Sequence, residues 1–117
     1  MSSFETLEVW QKGLLLVKKI YHITKSFPKD ERFGLTSQIR RASVSIIANL
    51  AEGFSRYSKP DKAYKYTIAR GECAEVHALL LICKELELID ENSADKLIKL
   101  NLQVGRMLTG LVKKYSS

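Results

Sequence analysis

Apolar residues recur at steps of three and four along nearly the whole chain, and no segment alternates polar and apolar residues long enough to read as a strand. That pattern confines the protein to an all-α fold. Its 117 residues suit one domain, residues 1–117, built around one core. The first helix is expected near Thr6–Ser26, with a seam of Leu7, Trp10, Leu14, Val17 and Tyr21. Phe27-Pro28-Lys29-Asp30 ends it, because proline disfavours helical geometry in the residue before it. A second helix runs from about Arg32 to Tyr57.

Ser58-Lys59-Pro60-Asp61 then has the composition of a helix start. Serine accepts from free backbone amides, proline suits the first turn, and aspartate favours the positive end of the helix dipole. The third helix extends to about Leu88, with Tyr66, Ala69, Cys73, Val76, Leu80 and Cys83 on its seam. After Ile89-Asp90 the fourth carries Ala94, Leu97, Asn101, Val104, Leu108, Leu111 and Tyr115. Short connections and steps averaging about 3.5 residues predict an antiparallel, up-down-up-down four-helix bundle. Asn101 interrupts an apolar seam, so its amide must find a partner or stay hydrated at the end of the core.

The second helix has an unusual cross-section. At 100° per residue, Gln38, Arg41, Ser45, Asn49, Glu52 and Arg56 fall on one narrow polar stripe. Leu35, Ile39, Ala42, Val44, Ile46, Ile47, Leu50, Ala51 and Phe54 sweep an arc of roughly 200°, interrupted by Arg40, where a surface helix needs about 100°. The small residues Ala42, Ser43, Ala48, Ala51 and Gly53 permit close backbone approach. We read the excess as a subunit interface of a homo-oligomer, with Gln38, Arg41, Ser45, Asn49 and Glu52 as its polar residues. The competing reading is a helix packed centrally between two neighbours, its stripe in water.

Signals for catalysis are poor. No zinc-protease motif, phosphate-binding glycine loop or nucleophile elbow is present. Cys73 and His77 lie one turn apart but supply only two ligands where a structural zinc site takes four. His22 stands alone, and Glu72 and Glu75 have no nucleophile to serve. The reading is therefore of a non-enzyme without metal or cofactor. Cys73 and Cys83, ten residues apart on one helix, sit about 15 Å from each other, too far for a disulfide. With no secretory signal and no apolar run of membrane-spanning length, a cytoplasmic protein without a membrane partner is expected.

Lysine and arginine outnumber acidic residues 19 to 13, which favours an anionic partner without naming one. The stretch "SRYSKPDKAYKY" sets Arg56, Lys59, Lys62 and Lys65 among Tyr57, Tyr64 and Tyr66. Cations neutralise phosphates and tyrosines stack on bases, so these four, together with Arg40 and Arg41, are candidate contacts to RNA or DNA. A solvated helix face is the plainer reading of Lys62 and Lys65, and a polypeptide is the alternative partner.

"LEVWQKGLLLVKKIY", "FPKDERFGLTSQIRRASVSIIANLAEGFSR" and "ARGECAEV" together resemble the bacterial four-helix-bundle proteins encoded in intervening sequences of 23S ribosomal RNA genes. The ordered series Phe33-Gly34-Leu35, Gln38-Ile39-Arg40-Arg41, Ser45-Ile46 and Asn49-Leu50-Ala51-Glu52-Gly53 is its most specific part. Relatives of that family include accessory proteins of diversity-generating retroelements, which are basic homopentamers. The resemblance thus implies a five-subunit ring and nucleic-acid binding. It departs at Glu72, where the family often has serine after the third-helix glycine.

Overall fold

The structure, a computed structural model, describes residues 3–116. Four helices make up almost all of it: α1 (Glu8–Thr24), α2 (Leu35–Ser55), α3 (Lys59–Glu85) and α4 (Glu91–Ser116), with 3-10 turns at Phe4–Thr6 and Lys29–Glu31. Each helix packs on the next and α1 closes on α4, giving the expected antiparallel bundle, 44 Å long and about 20 Å across.

Local chemistry sets the helix ends. Glu31 reaches forward so that its carboxylate accepts the Leu35 amide at 3.1 Å, capping the start of α2. A side chain on Gly34 would come within 2.8 Å of that carboxylate, so α2 begins three residues later than the apolar pattern suggests. Ser58 caps α3 as expected, its hydroxyl accepting the Asp61 amide at 3.1 Å. At the other end Glu87 sits at a φ of 60°, while Glu87 and Leu88 donate to the carbonyls of Lys84 and Cys83. This is a Schellman turn with glutamate in the left-handed position, and it stops α3 at Glu85.

The seams expected for α3 and α4 are largely the observed ones, with Leu79 buried in addition and Leu111 and Tyr115 half-buried at the end of α4. Tyr66, Ala69, Cys73, Val76, Leu80 and Cys83 meet Ala94, Leu97, Val104 and Leu108 in the core. Asn101 is buried there, and its amide donates to the Cys73 carbonyl at 2.8 Å, tying α4 to α3. The seam of α1 needs correction. Its buried residues are Val9, Gly13, Leu16, Ile20 and Thr24, whereas Leu14 and Tyr21 are each 40% exposed. Gly13 decides the rotation: an added Cβ would collide with Ile47, so this is the face that α1 turns to α2.

Most of the broad arc of α2 is used inside the bundle. Ile39, Ala42, Ile46, Ile47 and Leu50 are buried between α1 and α3, and Gly53 lets the ring of buried Tyr66 lie where a Cβ would stand. Central packing therefore accounts for more of the arc than the sequence suggests. Val44 and Ala48 remain exposed on its outer side.

Candidate nucleic-acid interface

The six basic residues singled out in the sequence divide into two groups. Arg40 is held: its Nε donates to the Thr24 hydroxyl at 2.8 Å, its Nη2 donates to the Tyr21 carbonyl at 3.4 Å, and its guanidinium lies 4.5 Å from the Tyr21 ring centre. It clamps α2 to the end of α1. Lys62 donates from Nζ to the carbonyls of Phe54 at 2.7 Å and Gly53 at 3.3 Å. Both carbonyls lie in the last turn of α2, where Gly53 also accepts the Arg56 amide at 3.2 Å, so Lys62 helps cap α2 from the first turns of α3. Lys65 lies 2.7 Å from the Glu52 carboxylate. That hydrogen bond, followed by Lys65's charge and more weakly Arg56's, holds the Glu52 carboxyl below its ordinary value.

Arg41, Arg56 and Lys59 are exposed and make no ion pair among the described residues. Arg56 and Lys59 frame the turn between α2 and α3. Tyr57 is fully exposed in that turn and Tyr64 is 65% exposed on the next. Arg41 lies near α3, close enough to oppose a rise in the pKa of Glu72 that comes first from burial and then from the charge of Glu75.

The polar stripe of α2 is likewise split. Gln38 and Arg41 face outward, Ser45 and Asn49 are half-buried, and Glu52 is committed to Lys65. The Asn49 amide donates back to the Ser45 carbonyl of its own helix at 2.9 Å. Among the described residues, no hydrogen bond or ion pair joins Arg41, Asn49 and Glu52 within a single copy.

Cys73 and Cys83 are buried thiols, pushed up to about 12 and about 11, first by burial and then by the nearby charges of Glu72 and Glu31 respectively. Such thiols are poor nucleophiles at neutral pH. Among the described residues no three His, Cys, Asp or Glu side chains converge as a metal site.

Residue-by-residue reading missed how the charge is distributed over the helices. Residues 8–25 and 91–116, which hold α1 and α4, carry nine of the 19 basic residues and three of the 13 acidic ones. The rest of the chain carries ten of each. Counted by helix, α1 and α4 together carry +5 and α2 and α3 together +2, while the ends and connections carry −1, so most of the excess of +6 lies on one pair of adjacent helices. A tally by helix would have found it; scanning for dense basic stretches did not, because on α1 and α4 the lysines are interleaved with apolar residues.

No helix among the described residues is long and apolar enough to cross a membrane. A comparison with curated proteins gives no match. Among solved structures, the fold is similar to a protein of unknown function from the S23 ribosomal protein family of Bacteroides thetaiotaomicron. The TM-score is 0.81 at 24% identity, covering 90% of this chain and 98% of the other. The family model described as 23S rRNA-intervening sequence protein matches residues 5–110, and the chain belongs to that family.

Proposed function

We propose that the protein is a non-enzymatic, oligomeric accessory protein of the cytoplasm that binds RNA or DNA through basic surfaces. The observation that carries this reading is the corner between α2 and α3, where Arg56, Tyr57, Lys59 and Tyr64 stand exposed together. Unpaired cations there can neutralise phosphates while flat tyrosine faces stack on bases. The resemblance to accessory proteins of diversity-generating retroelements adds the five-subunit ring. A ring repeats the corner and strengthens binding to a long polymer through avidity. Val44 and Ala48, with Gln38, Arg41, Ser45 and Asn49 beside them, are the surface of α2 offered to a neighbouring subunit.

A second reading, a protein-interaction scaffold, is favoured by exposed Leu81, Ile82, Leu86 and Leu102 on and beside α3 and α4. A salt titration of RNA and DNA binding by the intact protein separates the two. Nucleic-acid binding predicts affinity that falls linearly in log K against log salt. Failure to bind either polymer at low salt leaves the scaffold. Native mass measurement at several concentrations checks the assembly, and a monomer throughout contradicts it.

A further inference from the structure

We propose that the groove between α1 and α4 is a track for the phosphodiester backbone of a nucleic acid, engaged by Lys18, Lys19, Lys25 and Lys96. The proposal rests on the nucleic-acid reading above and gives it a second, larger site. The groove encloses about 810 Å³ at the end of the bundle where the C-terminal half of α1 meets the first turns of α4. These four lysines line it together with His22.

Three observations converge on it. Most of the net charge of the protein, +5 of the +6, lies on the two helices that form the groove. None of the four lysines makes an ion pair among the described residues, although Lys65 and Lys84 elsewhere do. One acid lines the groove, Asp90, whose carboxylate accepts the Ser93 amide at 3.1 Å and caps α4; that bond holds it in the charged form, so the lining sets four lysines against one carboxylate. Gathering like charges in excess of acidic ones raises the energy of the free surface and favours an anion that spans several of them.

The spacing points to a polymer rather than a single phosphate. Lys12 and Lys19 are seven residues apart on α1, as are Lys18 and Lys25. Two helical turns separate the members of each pair, about 10 Å along one face, and Lys96 adds a cation from the facing helix. The shape argues against a lipid surface. Amphipathic helices bind bilayers by projecting apolar side chains; of the three apolar residues lining the groove, Leu97 is buried and Ile23 half-buried, and Leu15 alone is exposed, at 42%.

The test is fluorescence anisotropy of the intact protein with labelled single-stranded RNA, with DNA of the same sequence, and with vesicles of anionic phospholipid, over a range of salt. Wild type is compared with Lys18→Gln/Lys19→Gln/Lys96→Gln and with Arg56→Gln/Lys59→Gln. These exposed side chains are replaceable without loss of fold, which thermal melts by circular dichroism verify. Each phosphate contact contributes about 0.7 to the salt slope on a single strand, so the triple change lowers the slope by about 2 and weakens binding about 100-fold at 0.1 M salt. Equal losses on RNA and DNA identify the shared backbone as the ligand; loss on RNA alone refutes backbone binding at the groove. If wild type binds and the triple variant binds equally well, the groove is wrong while the nucleic-acid reading stands. If wild type binds neither polymer, that reading fails too. Vesicle binding lost in the triple variant, without binding of nucleic acid by wild type, overturns the proposal in favour of a membrane.

Discussion

Lys65 and Lys18 are both lysines on the surface of one small bundle, yet their surroundings differ. Lys65 lies against Glu52 at 2.7 Å, one turn of α3 from Lys62, which caps α2. Lys18 borders an open groove with three other unpaired lysines. The contrast extends to the helices that carry them. Around α2 and α3, Arg40 clamps a neighbour, Lys62 caps a helix end, and Lys65 and Lys84 pair with carboxylates, while the two helices together carry only +2. On α1 and α4 the basic side chains are surplus to the architecture. A basic residue already held by a carbonyl or a carboxylate, such as Lys62 or Lys65, is thus weaker evidence of a ligand than one without such a partner, such as Lys18, Arg56 or Lys59.

The largest test of this contrast uses alkaline pH. Cys73, Tyr66 and Cys83, all on α3, are shifted upward to about 12, about 12 and about 11 from ordinary values of 9.0, 10.0 and 9.0, chiefly by burial. A raised pKa means that the folded state keeps protons that the unfolded state releases. Their stabilising contribution is therefore intact below pH 9 and is lost progressively as the pH climbs toward 12. By pH 11 the loss is on the order of several kcal/mol, comparable with the stability of an ordinary domain. Urea midpoints measured from pH 7 to 11 should fall above pH 9. A flat profile contradicts burial of these groups.

Packing gives the next effect. Gly53→Ala places a methyl group within 2.7 Å of the Tyr66 ring and should cost about 1–3 kcal/mol. Gly110→Ala meets nothing within 4 Å and should stabilise α4 by about 0.5–1 kcal/mol. Thermal melts of the two variants moving in opposite directions would confirm where the bundle is tight.

Arg40 and Arg41 are neighbours in sequence that belong to different groups. Arg40→Ala removes the clamp on Thr24 and Tyr21 and should cost about 1–2 kcal/mol in denaturant titration. Arg41→Ala, at an exposed site, should stay within about 0.5 kcal/mol. Equal effects would erase the distinction between architectural and free cations. Glu87→Gly relieves a left-handed glutamate and should raise stability by up to about 1 kcal/mol, read as a higher melting temperature.

The bundle was legible in the sequence where one apolar stripe is bounded by polar residues, as on α3 and α4. On α1 the unbroken run Leu14-Leu15-Leu16-Val17 offers two stripes, and only the contact of Gly13 with Ile47 selects between them. The same limit governs the candidate site. Ser58 and Pro60 announce a helix start because capping is local, and Arg56, Tyr57 and Lys59 are exposed simply because they frame a turn. The partners of Arg40 lie 16 and 19 residues away on another helix. The carbonyls held by Lys62 become available only because α2 stops at Ser55. No spacing rule reveals either. The asymmetry between helix pairs was present in the sequence as a number, but it acquires meaning only once α1 and α4 are known to be adjacent.

Lysine footprinting with an amine-acylating reagent, read by mass spectrometry with and without single-stranded RNA, tests the central claim most directly. In the free protein, Lys18, Lys19, Lys25 and Lys96 should label readily, while Lys62 and Lys65, held by carbonyls and a carboxylate, label slowly. Adding RNA should protect the four groove lysines and leave the slow pair unchanged. Protection absent from the groove, or spread evenly over all lysines, would contradict the division of charge between the two halves of the bundle.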